Sequence, residues 1–302
     1  MKRNTIGLIS AATVLLSAAP FAAAEEAGSF AEAFTAGKAG LNIRPRYEHV
    51  DIDGETNEAD AVTARLRLNF RTAEWSRMSA FGEYDYVFHL LSNFNSGAGT
   101  SPDRDDYPVV ADPKGADLNQ LYLDYQMSDE SKFRFGRQRI ILDNQRFVGG
   151  VGWRQNEQTY DALTFATKAI SRTDLSYSYV GYVRRIFGET VPAGKSNVDT
   201  HLLNAKIALN DSWSVTPYYY YIDDQDVAGF STSTAGVRVT GGLKAGEGKV
   251  NLVAEIATQS DVANNPVSYD AQYFNVGGTW AMANGLSLGL AYESLGGHES
   301  EP

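Results

Sequence analysis

The chain contains no cysteine in its 302 residues. That excludes thiolate catalysis, cysteine-ligated zinc and any disulfide-stapled fold. In an oxidising compartment, a chain without thiols also cannot mispair in transit. Histidine is nearly as scarce, and His49, His89, His201 and His298 stand on separate segments with no metal-ligand spacing. There is no G-x-S-x-G elbow, and no serine is paired with a histidine as a barrel phospholipase would require. No enzyme activity, cofactor or metal is therefore expected. Long apolar runs are missing beyond Ala19, so no membrane-spanning helix is expected either.

Basic residues are outnumbered, 26 against 37 acidic, for a formal charge of −11. So acidic a balance argues against nucleic acid as a partner. The first 24 residues carry the marks of a cleaved secretion signal. Lys2 and Arg3 precede an apolar stretch from Ile6 to Ala19, Pro20 breaks it, and Ala22-Ala23-Ala24 offers small residues before Glu25. Cleavage there takes the mature chain, residues 25–302, to −13. Mean hydropathy is negative, which suits a soluble protein. A strand of a membrane barrel, however, hides its lipid face by alternation. The 17 tyrosines and 14 phenylalanines suit a membrane interface, where one end of the ring is dry and the other wet.

What the chain has in abundance is period-2 alternation. In VTARLRLNFR, Val62, Ala64, Leu66, Leu68 and Phe70 fall on one side, and Thr63, Arg65, Arg67, Asn69 and Arg71 on the other. Thirteen such stretches lie near 41–50, 61–72, 78–90, 117–127, 131–141, 158–168, 174–186, 200–209, 213–222, 233–243, 249–258, 270–281 and 285–294. Connections alternate between short (AEWSR, SDES, NDS) and long, the longest running from Ser92 to Ala116. Tight turns on one rim and long loops on the other describe an all-β, transmembrane, antiparallel up-and-down barrel in the bacterial outer membrane. Aromatic clusters at Trp75, Trp213 and Tyr218–Tyr221 fall where strands would cross the interfaces; Pro217 among them suggests a bulge. The acidic loops Asp51–Asp60, Asp103–Asp106 and Ile222–Asp226 read as solvated charge or as divalent-ion bridges to lipopolysaccharide. Their spacing matches no calcium-loop motif.

With the apolar side facing lipid, parity assigns the lumen side. It receives Asn42, Arg44, Arg46 and Glu48, then Arg65, Arg67 and Arg71, then Glu83, Asp85 and His89, then Gln120, Asp124 and Gln126. Arg134, Lys206, Arg238, Glu255 and Glu293 follow. Five arginines on two adjacent strands make a cationic stripe that could sort solutes by charge. They could equally pair across strands with Glu48, Glu83 and Asp85, and the two readings are compatible.

The segment Gly136–Leu163, GRQRIILDNQRFVGGVGWRQNEQTYDAL, is the most distinctive. Strict alternation from Phe133 and Phe135 would send Arg137 and Arg139 into lipid, at roughly 2–4 kcal/mol each near the midplane. A bulge at Gly136 would turn both inward. The glycines and polar run that follow suit either an extracellular loop or a constriction folded into the lumen.

This block resembles the alginate export family of outer-membrane porins, in which GRQR, DNQRFVG, GWRQNEQT and a following Asp recur. RLRLNF and LNQLYLDY fit the same family. The resemblance implies an 18-stranded barrel with an arginine-lined, anion-selective pore, and by position it adds Arg137, Arg139, Arg146 and Arg154 to the pore surroundings. It implies passive diffusion of small or anionic solutes, including alginate-like acidic sugars, with outer-membrane lipid, lipopolysaccharide and the barrel-insertion machinery as partners. A non-transporting surface barrel, adhesin or structural, is the alternative. The end GGHESEP is polar and lacks a terminal aromatic, and thirteen is an odd strand count. The expectation is a C-terminally truncated barrel whose full length carries 16–18 strands.

Overall fold

The computed structural model describes residues 26–297, so the expected leader and the GGHESEP end from His298 onward lie outside the described residues. One short helix, α1 (Phe30–Thr35), precedes thirteen strands. These are β1 (Lys38–Val50), β2 (Ala59–Arg71), β3 (Met78–Asn93), β4 (Gly115–Ser128), β5 (Ser131–Gln138), β6 (Thr159–Thr167) and β7 (Thr173–Arg184). They continue as β8 (Lys195–Ala208), β9 (Trp213–Asp224), β10 (Thr232–Ala245), β11 (Gly248–Asp261), β12 (Asp270–Ala281) and β13 (Ser287–Leu295). The sheet order is the chain order, β1 through β13, the up-and-down arrangement expected from alternating short and long connections.

Packing divides the chain into two units. Among the described residues, the first comprises 26–126, Arg134–Ala162 and Tyr182–Ser196. The second comprises Met127–Phe133, Leu163–Gly181 and 197–297.

In the first unit burial is inverted relative to a water-soluble sheet. Along β4, Gln120, Tyr122 and Asp124 are 3–8% exposed, while Leu121, Leu123 and Tyr125 between them are 46–56% exposed. On β2, Arg65 and Arg67 are buried and Leu68 is half exposed. The polar residues meet other protein and the apolar ones face outward, the arrangement of strands whose outer solvent is lipid. The second unit repeats it: Tyr218, Tyr220 and Glu255 are buried, whereas Tyr219 and Ile256 are exposed.

Local chemistry explains the departures from strict alternation. Between β2 and β3, Trp75 and Met78 exchange backbone hydrogen bonds of 2.9 Å in both directions. Ser76 and Arg77 between them have φ of 51° and 63°, as a two-residue type I′ hairpin requires. The register shifts by one at Val62/Thr63 and again at Glu83/Tyr84, where Asn119 has no partner in the ladder. That second bulge sets buried Asn119 beside Gln120, and its amide donates to Glu83 at 2.8 Å.

Pro217 is not a bulge. The β8–β9 register is the same before and after it, and β10 pairs across it without a shift. Strand β5 ends at Gln138, short of the expected 141, because the chain leaves the ladder soon after Gly136.

Gly136 carries the expected phase change. Its φ is 121°, and a β-carbon there would sit 2.3 Å from the Leu121 carbonyl oxygen. Phe135 points outward, 66% exposed, while Arg134 on one side and Arg137 and Arg139 on the other all bind carboxylates. We expect Gly136→Ala to destabilise the fold by at least about 1–3 kcal/mol, the typical cost of a disallowed backbone conformation. It should lower the midpoint of heat-induced gel-mobility change by several degrees. Gly82→Ala, whose β-carbon would approach nothing closer than 3.8 Å, should leave that midpoint nearly unchanged.

Candidate functional site

The polar face of the first unit holds a connected network of guanidinium and carboxylate groups. Arg67 is its centre. Its Nε and Nη2 donate to the two Asp85 oxygens at 2.7 and 2.6 Å, and its Nη1 donates to Glu157 Oε1 at 2.7 Å. Arg65 donates to the Gln155 carbonyl at 3.0 Å and lies 3.6 Å from Glu157. Arg139 binds Glu157 and, at 2.5 Å, Glu83. Arg46 bridges Glu48 and Asp112, and Arg154 reaches Glu48 at 3.0 Å.

Two loops supply part of this network. The stretch following β5 folds back over β1 and β2. Arg44 donates to three successive carbonyls, those of Gly152 (2.9 Å), Trp153 and Arg154 (3.0 Å). The buried Gln155 amide donates to Thr63 Oγ1 at 2.8 Å and to the Arg44 carbonyl at 3.2 Å. Trp153 lies beneath Arg154, 3.9 Å from its guanidinium carbon, with Arg46 at 5.0 Å. Of the two readings the sequence left open, this is the inward-folded one. The loop between β3 and β4 brings Asp112, fully buried, to accept from Arg46 and from the Gln155 N–H at 2.9 Å. His89 Nε2 lies 2.8 Å from the Asp112 carbonyl. A cavity of about 600 Å³ lies against the folded segment, lined by Arg139, Phe147, Trp153 and Glu157 among others.

Other expected residues lie in separate clusters. Arg71 and Arg134 converge on Asp124, at 3.5 and 2.7 Å, and on Tyr122, whose hydroxyl accepts from Arg71 and whose ring lies 3.9 Å from the Arg134 guanidinium. Arg137 binds Asp161 at 2.9 Å and Glu189 at 2.8 Å, and Arg184 grips the same two carboxylates. In the second unit Arg238 pairs with Glu255, which also accepts from Tyr218 at 2.8 Å. Lys206 is exposed, and so is Arg146 on the turn between Leu142 and Val148.

Sequence reasoning missed Asp112, Asn119, Arg184 and Glu189, and it gave no individual role to Glu157 or Asp161, although both stand in the family block. For Asp112 a signal existed: Val109-Val110-Ala111 is an apolar triplet inside a charged loop, and Val110 packs with Ala59, Ala61 and Phe94. The acids of Asp103–Asp106 themselves, Asp103, Asp105 and Asp106, are exposed, as solvated charge requires. In the second unit, Asp224 caps the Val227 N–H at 2.8 Å and Asp226 accepts from Asn197, so those two acids cap backbone and side chain.

Residues 39–294 match the family described as alginate export. The chain belongs to the alginate export family. No curated protein matches it. Among solved structures it resembles OccAB1 of Acinetobacter baumannii, with TM-score 0.70 and 13% identity over 90% of this chain and 68% of that one. OccK8 (OprE) of Pseudomonas aeruginosa gives 0.67 and 14%, over 86% and 68%. OccK2 (OpdF) of the same organism, solved in complex with glucuronate, gives 0.63 and 13%, over 85% and 64%. At such identity the likeness is one of fold, and the chain spans 64–68% of the length of these structures. Family and fold together make this alginate export family member an outer-membrane porin of bacteria.

Glu157 holds the folded segment electrostatically. Burial alone would raise its pKa, but Arg67 and Arg139 overcome that and hold it at about 2, below the ordinary 4.5. A carboxylate depressed by folding contributes stability in full above its unfolded pKa and loses it as pH falls through the folded value. Docking of the segment should be constant from pH 8 to 5 and weaken as pH falls from 4.5 toward 2. Trp153 emission, isolated by difference from a Trp153→Phe variant, reports it. Glu157→Gln should show the acid-form emission at pH 7; identical emission in both proteins at every pH would remove Glu157 from this role.

Proposed function

We propose that the protein is a passive channel for small anionic solutes, acidic sugars of the alginate type among them, moving down their gradient along an arginine-lined path. In the first unit the path is drawn from Arg44, Arg46, Arg65, Arg67, Arg71, Arg134, Arg137, Arg139, Arg146 and Arg154, with Glu83, Asp85 and Asp124 as counter-charges; in the second unit Lys206 and Arg238 are the basic residues assigned to the polar side. The observation that carries the reading is the unequal exposure of the arginines. Side chains of Arg71, Arg134 and Arg139 remain 23–29% exposed, whereas those of Arg65 and Arg67 remain 6% and 9% exposed. The buried pair hold the folded segment; the other three keep part of their guanidinium groups in contact with water. A guanidinium fork matches a carboxylate in two-point geometry. Glucuronate, bound in the OccK2 structure, is a carboxylate-bearing sugar of the required chemistry.

A second reading is favoured by one observation, the segment lying across the polar face of β1 and β2. A lumen closed by such a segment would make this a surface barrel without transport. Planar-bilayer recording separates the two. The channel reading expects conductance with an anion-selective reversal potential under a salt gradient. Neutralising Arg71, Arg134 and Arg139 together to Gln should shift that potential toward cations. A silent protein favours the closed barrel, cation selectivity in the parent defeats the basic path, and an unmoved potential in the triple variant places those side chains outside it.

A further inference from the structure

We infer that α1 is a membrane-interface anchor, seating its aromatic side in the periplasmic-leaflet phospholipid at the short-turn rim of the barrel. The helix is built to stay put despite its six residues. Ser29 Oγ accepts from the Glu32 N–H at 3.2 Å, and the Glu32 carboxylate accepts in return from the Gly28 N–H at 2.9 Å, a variant of the capping box. Two backbone hydrogen bonds tie it to the β2–β3 turn, Ala73 N–H to Ala33 O at 2.8 Å and Ala27 N–H to Glu74 O at 2.7 Å. Ala27, Ala33 and Ala73 are buried there, with Trp75 packed against them.

This fastening leaves two large aromatics facing out. Phe30 and Phe34 are 60% and 47% exposed, a costly display on a surface meeting water. They are continuous with an apolar face already assigned to lipid. Phe30 meets Trp75 edge-on with ring centroids 5.6 Å apart, and Phe34 stacks on Phe70 at 6.4 Å and 17°. Phe70 follows exposed Leu68 on the outward side of β2, and Leu68 pairs with exposed Leu41. Gly37 completes the fit: a β-carbon there would lie 2.3 Å from Phe70 Cζ, so only glycine lets the chain pass over that ring between helix and strand.

Tight turns of such barrels face the periplasm, which places the cluster at the inner leaflet. Aromatic side chains concentrate at that depth because the ring sits well at the headgroup boundary. Charge does not attract α1 to lipid. Its own segment carries Glu26 and Glu32, with Lys38 as the nearest cation along the chain, so attachment rests on ring burial and should be insensitive to salt.

The absence of cysteine makes the test clean. Single-cysteine variants Phe30→Cys, Phe34→Cys and Thr35→Cys, each carrying a nitroxide, are folded into phosphatidylethanolamine–phosphatidylglycerol vesicles. Labels at 30 and 34 should collide several-fold more often with oxygen than with a water-soluble nickel chelate, and the label at 35 should show the reverse, in low and high salt alike. Nickel dominance at all three positions would overturn the anchor, as would oxygen dominance at all three, which denies the helix an aromatic side. Phe34→Trp keeps the ring and supplies a second readout. Its added fluorescence should be quenched by brominated phospholipid and spared by aqueous acrylamide; the opposite pattern overturns the inference.

Discussion

Everything on the polar face of the first unit depends on one constraint: a charge taken out of water must be paired. Arg67, Asp85, Glu83 and Glu157 are each at most 9% exposed. Removing the partner of such a buried ion typically costs about 3–5 kcal/mol. The strands alone leave the sum uneven, because β1 and β2 carry five arginines on this side and the strands β1, β3 and β4 answer with four acids, Glu48, Glu83, Asp85 and Asp124. Two further anions come from outside the sheet, Asp112 from one loop and Glu157 from another. Inward folding of the loops is thus a consequence of strand composition. Once Arg44, Arg65 and Arg67 face inward and are covered, something must bring oxygen atoms to them.

That dependence marks what could be read from sequence. Strand existence and facing were legible because alternation is local; all thirteen stretches form, and β12 has the expected limits, Asp270–Ala281. The phase change at Gly136 was legible through contradiction, since strict alternation put two arginines in lipid and a glycine stood where relief was needed. Chain limits were less legible. β8 starts at Lys195, ahead of the expected 200, where Asn197 is tied to Asp226 by two hydrogen bonds. The partners of the arginines were least legible. Arg67 and Glu157 are 90 residues apart, and Arg44 and Gly152 are 108 apart, so no period or spacing links them. Arg146 and Arg154 stood in neighbouring motifs of one block, and the structure sets Arg146 on an exposed turn and Arg154 against Glu48.

The two units solve the same problem at different charge density. In the second, one ion pair, Arg238 with Glu255, is joined by a tyrosine hydroxyl, and Tyr218 stacks on Tyr220 at 4.8 Å. Hydroxyls fill much of the remaining polar side: Ser214 bonds Thr240 at 2.9 Å, and Gln259 donates to Thr234 at 2.8 Å. Neutral groups can be covered with a single hydrogen bond each, whereas guanidinium and carboxylate need several. The polar face of β9 to β11 is accordingly satisfied from strand to strand, and the face of β1 to β4 needs loops.

The choice of arginine over lysine follows from the same requirement. Apart from Lys38 at the start of β1, the basic residues on the polar side of β1 and β2, from Arg44 to Arg71, are all arginine. A lysine ammonium supplies equal charge for attracting an anion, so selectivity alone would not exclude it. It does not supply a planar fork of five donors. Arg44 uses that fork to reach three consecutive carbonyls, and Arg67 uses it to hold both oxygens of Asp85 while still reaching Glu157. A lysine has donors enough for either task, but they radiate from one atom and do not form the planar fork that meets both oxygens of a carboxylate side by side. These arginines are therefore selected first for holding chain to chain, and any attraction of solute falls to those, such as Arg71, Arg134 and Arg139, whose forks still touch water.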